Sequence, residues 1–273
     1  MVATTGDVRG GVVVKGIAWV AVAAVAAAVP LTSCVRLVQE SFDDRHVVTG
    51  GITEVAFDNG SGNVVVRSRP GASETEVRRH VRYPRTTDKP SGATHRAEGS
   101  KLVLGGCGDQ CSVDYEVLVP SADVRVSGVA GSGDVRLEGV AAVEVRVDSG
   151  NAVVRDVSGA VRVDNGSGDV EAASIGGDFA GSVDSGNARL SGIRGAVAVE
   201  NGSGDIDVEM AAVASVRADA DSGNVTVRVP RGAYRVDVQV DSGTRAVDVE
   251  DDPGASAELV LRSGSGDVTV RAA

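Results

Sequence analysis

The chain is short of aromatic rings and of positive charge. Phe and Tyr number three each and Trp one, 3% of 273 residues, and the Trp is Trp19, near the N-terminus. Few rings remain to line a sugar groove. Lys and Arg number 27 against 38 Asp and Glu, a net charge of −11. Nucleic acid is bound through excess positive charge, so it is excluded as the main partner. The three histidines, His46, His80 and His95, lie far apart, and none falls in a metal spacing such as H-E-x-x-H. No Gly-x-Ser-x-Gly sits between a strand and a helix, and the glycine-rich turns precede strands, so no helix N-terminus cradles a phosphate. The sequence thus offers no catalytic residue and no cofactor site. Glycine is abundant, 36 residues, but not at every third position, which excludes a collagen helix. A hydrophobic content of 42% excludes disorder from low hydrophobicity. Arg far outnumbers Lys, and Ala, Val and Gly are plentiful, a composition in keeping with a GC-rich bacterium.

The one long uncharged apolar run is Ile17 to Val29, preceded by Arg9 and Lys15. It has signal-peptide length and is shorter than the ~20 residues of a membrane span. It ends in Leu31-Thr32-Ser33-Cys34, which resembles the lipobox of bacterial lipoproteins. That resemblance implies cleavage before Cys34 and lipidation of its thiol, placing the chain outside the cytoplasm on the cell membrane. Acyl chains hold by burying methylenes at ~0.8 kcal/mol each. An uncleaved anchor with an unmodified Cys34, or a plain secretory signal, are the other readings. Residues 1–33 are then the signal peptide and 34–50 a linker.

The other cysteines lie in Gly105-Gly106-Cys107-Gly108-Asp109-Gln110-Cys111. Export places them where disulfides persist, and the glycines let their β-carbons approach. Two thiols without a His or Cys cluster make a poor zinc site, and redox catalysis uses C-x-x-C. Cys107 and Cys111 are expected to form a structural disulfide.

Repetition dominates the rest. Ser-Gly followed by Asp, Asn or Thr recurs with its third residue at Asn63, Asp134, Asn151, Asp169, Asn187, Asp205, Asn224, Thr244 and Asp267. From Asp134 the steps are 17, 18, 18, 18, 19, 20 and 23 residues. Each unit holds two alternating stretches, as in Val143-Glu144-Val145-Arg146-Val147-Asp148 and Val135-Arg136-Leu137-Glu138. Period two with valine on one side predicts strands with one face buried. The turns between them come in a shorter form, Asp148-Ser149-Gly150-Asn151, and a longer one, Asp164-Asn165-Gly166-Ser167-Gly168-Asp169. They alternate until Asp241-Ser242-Gly243-Thr244 breaks the order. One coil is therefore 18 residues or 36; two strands and two turns favour 18. The expected fold is all-β, a β-solenoid or parallel β-helix-like stack of ~18-residue repeats over 129–273. An irregular N-terminal β cap over 51–128 completes one continuous domain, 51–273. Leu259 to Arg271 is its expected open end.

Phe57-Asp58-Asn59-Gly60-Ser61-Gly62-Asn63-Val64, Val117-Leu118-Val119-Pro120 and the Gly-Ser-Gly-Asp-Val units resemble the bacterial putative-adhesin β-strand-repeat family, a relative of the head domain of putative autotransporter adhesins. The resemblance spans 51–273. It implies an all-β, solenoid-like fold outside the cytoplasm and carries no catalytic residues.

Charge is uneven. Residues 34–101 hold 11 Lys/Arg and 9 Asp/Glu, whereas 102–273 hold 14 and 28. In the cap, Val77, Arg79, Val81 and Tyr83 alternate with Arg78, His80 and Arg82, a strand with a basic face. Arg78, Arg79, Arg82 and Arg85 either meet an anionic membrane surface or form a solvated strand and loop. In the stack, Asp148, Asp164, Asp184, Glu200 and Asp241, with Asp219 or Asp221, would form one carboxylate column ~4.8 Å apart if each unit is one coil. Such a ladder could take calcium through its hard oxygens, or its side chains could accept turn N–H groups in Asx-turns.

These features together predict a lipid-anchored extracytoplasmic module that binds an envelope protein or surface polymer, or has a structural role, and is not an enzyme. The alternatives are a secreted polysaccharide-acting enzyme on the same scaffold and the ectodomain of an envelope-stress sensor.

Overall fold

The structure is a computed structural model and describes residues 39–273. The expected signal peptide, 1–33, and Cys34 lie outside the described residues. Every regular element described is a β-strand. In chain order the first seven are β1 (Gln39–Val48), β2 (Glu54–Ser61), β3 (Val64–Ser68), β4 (Thr75–Pro84), β5 (His95–Glu98), β6 (Lys101–Gly105) and β7 (Ser112–Val119). Strands then come in pairs: β8 (Arg125–Ser132) with β9 (Val135–Glu138), β10 (Ala142–Ser149) with β11 (Ala152–Val157), and β12 (Val161–Ser167) with β13 (Val170–Ile175). They continue as β14 (Phe179–Ser185) with β15 (Ala188–Ile193), β16 (Val197–Ser203) with β17 (Ile206–Met210), and β18 (Val216–Ser222) with β19 (Val225–Val229). The last are β20 (Tyr234–Ser242) with β21 (Arg245–Val247) and β22 (Ala257–Ser265) with β23 (Val268–Ala272).

The alternation dictates the strands. In β10 Val143, Val145 and Val147 are buried while Glu144, Arg146 and Asp148 are exposed. β-branched side chains suit that half-buried pleat, and each valine withdrawn from water contributes about 1.5–3 kcal/mol. The first strand of each pair lies in an 11-stranded sheet and the second in a 12-stranded sheet. Setting aside β5 from one, and β1 and β4 from the other, leaves ten strands in each, hence ten two-strand coils. Within them pairing is parallel: Val143 sits beside Val161, and Val161 beside Phe179. One coil is therefore one 18-residue repeat. Large core residues are offset by glycine. A Cβ on Gly128 would meet the Phe57 ring, and one on Gly181 the Phe179 ring.

Coil order departs from chain order at both ends. β2 lies between β6 and β8, and β3 between β7 and β9, so the first coil of the chain is second in the stack. Likewise β22 lies between β18 and β20, and β23 between β19 and β21. The last coil is thus intercalated. Leu259 to Arg271 is not the open end; β20 and β21 are.

Two expected boundaries move. Gln39–Val48, assigned to a linker, is a ten-residue strand antiparallel to β4. The division at 128/129 falls inside β8, and β2, β3, β6 and β7 already form regular coils. Among the described residues only β1, β4 and β5, all paired antiparallel, stand outside the repeat. The excursion from β3 to β8 hides the period in the sequence, because the coil that continues the register is 71 residues away between Asn63 and Asp134.

Candidate functional site

The most ordered polar feature runs along the Ser-Gly turns. Val147 pairs with Asn165 and Ser149 with Ser167, which sets Asp148 against Gly166. The shorter and longer turns are therefore one turn. What alternates from β10 to β16 is the residue facing in, Val or Asn, and the residue facing out, Asp or Gly; Ala220 and Ser263 take the inward place in β18 and β22. This splits the expected carboxylate column. Asp148 and Asp184 share a column with Gly166 and Gly202 interposed, and it continues through Asp221 and Gly264 to Asp241. Asp164 and Glu200 stand in a neighbouring column, separated by Ser182, with Asp219 beyond Glu200. Interposing glycine doubles the spacing from ~4.8 to ~9.6 Å, close to the Debye length, so repulsion is relieved without an ion. Asp184, Glu200, Asp219 and Asp221 do border one shallow depression. Among the described residues no three His, Cys, Asp or Glu are placed to hold a metal.

Beside these columns runs an Asn/Asp ladder. The Asp134 N–H donates to Asn63 Oδ1 (2.8 Å), Asn151 N–H to Asp134 Oδ1 (2.9 Å), and Asp169 N–H to Asn151 Oδ1 (2.9 Å). Asn187, Asp205, Asn224, Asp267 and Thr244 extend it one coil at a time. The Asn151, Asn187 and Asn224 amides also donate to the Asp they face, as Asn187 Nδ2 does to Asp169 Oδ1 at 3.0 Å. Alternation thus keeps carboxylates from adjoining and gives each a donor. The Asn187 backbone N–H, with Arg189 adding to it, holds the Asp169 carboxyl below its ordinary value. Hydrogen bonding from Thr244 does the same for Asp267. The side chains accept turn N–H groups, as the Asx alternative anticipates, but from the neighbouring coil.

The inward asparagines are buried: Asn59, Asn165 and Asn201 expose 3% or less. Their Nδ2 groups donate to turn carbonyls, Asn165 to Gly150 (3.2 Å) and Gly168 (2.9 Å), Asn201 to Gly186 (2.8 Å). They tie one turn to the next from inside the core. The sequence signal is an Asn where the valine alternation calls for Val.

At the closed end β1 and β4 bring distant charges together. Arg79 is 4% exposed, and its guanidinium donates to both Asp44 oxygens and to Thr94 Oγ1 (2.9 Å). Tyr115 donates to the Gly105 carbonyl at 2.6 Å and also meets Thr94. The Arg79 hydrogen bond holds Asp44 below its ordinary value, whereas burial pushes Tyr115 up. His46 and His95 stack edge to face with ring centres 4.6 Å apart, and His46 Nε2 lies 3.2 Å from Asp44. Burial, then the charges of His46 and Arg79, pushes His95 down to about 4. His80 pairs with Asp43. The basic face of β4 is matched by acids: Arg78 pairs with Glu76 and Glu116, Arg82 with Asp114, and Arg85 with Glu40. Those cations have acidic partners within the cap.

Cys107 and Cys111 are joined, with Cα atoms 5.5 Å apart, in the loop between β6 and β7. That loop stands where every other coil has its Ser-Gly turn, and Asp114 just beyond it begins the ladder by accepting the Asn63 N–H at 2.7 Å.

The architecture defines a two-sheet β-solenoid held by turn ladders. Residues 182–273 match the family model described as Toastrack DUF4097, about a third of the chain. In fold the chain is similar to a "putative adhesin" from Bacteroides fragilis NCTC 9343: TM-score 0.53, 14% identity, covering 85% of this chain and 97% of that one. A "putative cell adhesion protein" from Clostridium sporogenes ATCC 15579 aligns at TM-score 0.27 and 9% identity over 86% and 100% of the two chains. A "putative adhesin" from Parabacteroides merdae ATCC 43184 aligns at 0.28 and 9% over 86% and 96%. No curated protein matches the sequence.

Proposed function

We propose that the chain is an adhesin-like binding module of the bacterial envelope, lipid-anchored at Cys34, non-catalytic, and stapled by a Cys107–Cys111 disulfide. The observation that carries this reading is the coil-to-coil bonding of the turns. Backbone N–H groups there, and the Asn and Asp side chains of the ladder, bond to the neighbouring coil, which makes a stiff rod with two long flat faces. A rod of this kind suits holding a contact surface away from a membrane, and its faces suit an envelope protein or surface polymer. The adhesin label of the Bacteroides fragilis structure supports the same reading, as does the lipobox-like Leu31-Thr32-Ser33-Cys34. A disulfide in so small a loop persists in an oxidising compartment.

Fractionation and intact mass of the native protein, with Cys34→Ala alongside, test it. The expected result is a membrane-bound chain starting at Cys34 with added acyl mass, released by Cys34→Ala, and with Cys107 and Cys111 resistant to alkylation until reduced. A cytoplasmic chain starting at Met1 with free thiols overturns the reading.

A further inference from the structure

The two ends of the stack differ. At one, β5 covers β6, while β4 and β1 cover β7. At the other, no strand among the described residues lies beyond β20 or β21. Inward-facing Val236, Val240 and Val247 are only half buried there, although the matching Val147 and Val154 of inner coils are fully buried. The end coil therefore has the inner face of a coil that expects another layer.

Part of this edge is occupied by the chain itself. The Asp251 carboxylate accepts the Val236 N–H at 2.9 Å, and the Asp252 N–H donates to the Tyr234 carbonyl at 2.8 Å. Backbone groups alternate sides along a strand, so Val238 and Val240 direct theirs outward as well. The Val238 carbonyl receives only a long contact from Arg245 Nη1, 3.4 Å. The uncovered stretch runs from Asp237 to Gly243.

We propose that this stretch pairs with the same stretch of a second copy, antiparallel about a two-fold axis, so that two rods join end to end. The occupant follows from the charges. A dyad centred on Val238 sets Arg235 against Asp241 of the partner copy but drives the partner strand into the segment at Asp251. One centred on Gln239 opposes Asp237 to Asp241. One centred on Val240 clears the Asp251 segment and sets Gln239 opposite Asp241, an amide facing a carboxylate, with Val240 facing its own copy. No like charges are opposed. The acidic segment at Asp251 and Asp252 thereby fixes the register. Pairing this short accounts for a reversible dimer rather than an open fibre, because a two-fold contact uses up the edge of both copies.

Light scattering of the purified full chain in mild detergent, over a hundredfold range of concentration, tests this. The expected result is a monomer–dimer equilibrium. Gln239→Glu should weaken it and Gln239→Lys strengthen it, each by about tenfold, because two symmetric cross-strand pairs change at once. Under oxidation Val240→Cys should cross-link to itself, and Ser191→Cys, on the outer face of β15, should not. A monomer at every concentration, or a dimer indifferent to both Gln239 variants and to the Val240→Cys cross-link, overturns the proposal. Gln239 is exposed on the outer face, so neither Gln239 variant disturbs the fold of the single chain.

Discussion

The backbone N–H of Asp267 donates to Asn224 Oδ1 at 2.9 Å, although 43 residues separate them. Thr244, the next ladder residue in the chain, sits one coil further out and bonds to Asp267 instead. In chain order the series reads Asn, Thr, Asp; in space it reads Asn, Asp, Thr. The alternation that fails along the sequence is restored by intercalation of β22 and β23. The Asp/Gly column agrees, since Gly264 falls between Asp221 and Asp241 only in that order.

Asn187→Asp tests the ladder. It places three carboxylates in successive coils and removes the amide that faces Asp169. At pH 7 the expected cost is about 1–3 kcal/mol, from a lost charge-assisted bond plus repulsion. Repulsion raises the folded-state pKa of the new carboxyl, so the penalty should shrink as pH falls through that value. Native Asp169 and Asp267 behave oppositely. Their lowered pKa contributes stability above about 3.8 that is lost as pH falls further. Urea unfolding of both proteins from pH 7 to 4 measures the difference. A constant gap would show that repulsion is not the cause.

Gly204→Ala tests the turn. Gly204 has φ +137°, and a Cβ there would press on the Gly186 carbonyl oxygen of the neighbouring coil. A cost of about 2–4 kcal/mol is expected from strain and steric conflict. Gly60→Ala is the control: its Cβ meets nothing within 4 Å, so its melting temperature should stay within a degree or two of the parent. Equal melting temperatures for the two variants would refute the steric account.

Much of this was legible in advance, and the failures have physical reasons. Valine alternation in Val143-Glu144-Val145-Arg146-Val147 specifies a strand and its buried face locally, so the all-β stack and the 18-residue coil could be read. Asn165 was read as part of a longer turn because an inward Asn violates the pattern; only register shows that it replaces Val147. The same register separates Asp148 from Asp164. Arg79 sits on an apolar face by sequence, and its burial depends on Asp44, 35 residues away. His46 and His95 meet only because β1 and β5 end opposite sheets, which no local pattern encodes.

Burial of His95, with His46 and Arg79 beside it, should give the fold an acid-sensitive window of its own. The His95 pKa is depressed from 6.5 to about 4, so the folded state leaves His95 neutral where the unfolded chain binds a proton. Its contribution is fully present above about 6.5 and is lost as pH falls from there towards 4. Unfolding midpoints should drop across that range, and His95→Phe should flatten the drop while keeping a ring against His46. An unchanged slope in His95→Phe would assign the acid sensitivity elsewhere.

Intercalation reverses the usual gradient of stability along a chain. Termini ordinarily fray first, having neighbours on one side only. Here β22 is held on both sides, by β18 and β20, and Leu259 and Leu261 are fully buried. β20 lies earlier in the chain but has a strand partner on one side only. Opening β20 costs one ladder, whereas opening β22 costs two and strands β20 as well. In native-state hydrogen exchange the amides of Leu259 and Leu261 should therefore outlast those of Asp237 and Gln239, which face β22, by at least tenfold, despite lying within 15 residues of the C-terminus. A chain truncated after Ser256 should lose protection in β20 and β21 together, because β20 then has no coil to pair with. If β22 exchanged before β20, or if the truncated chain kept β20 protected, the C-terminal coil would be the outer layer and not an inner one.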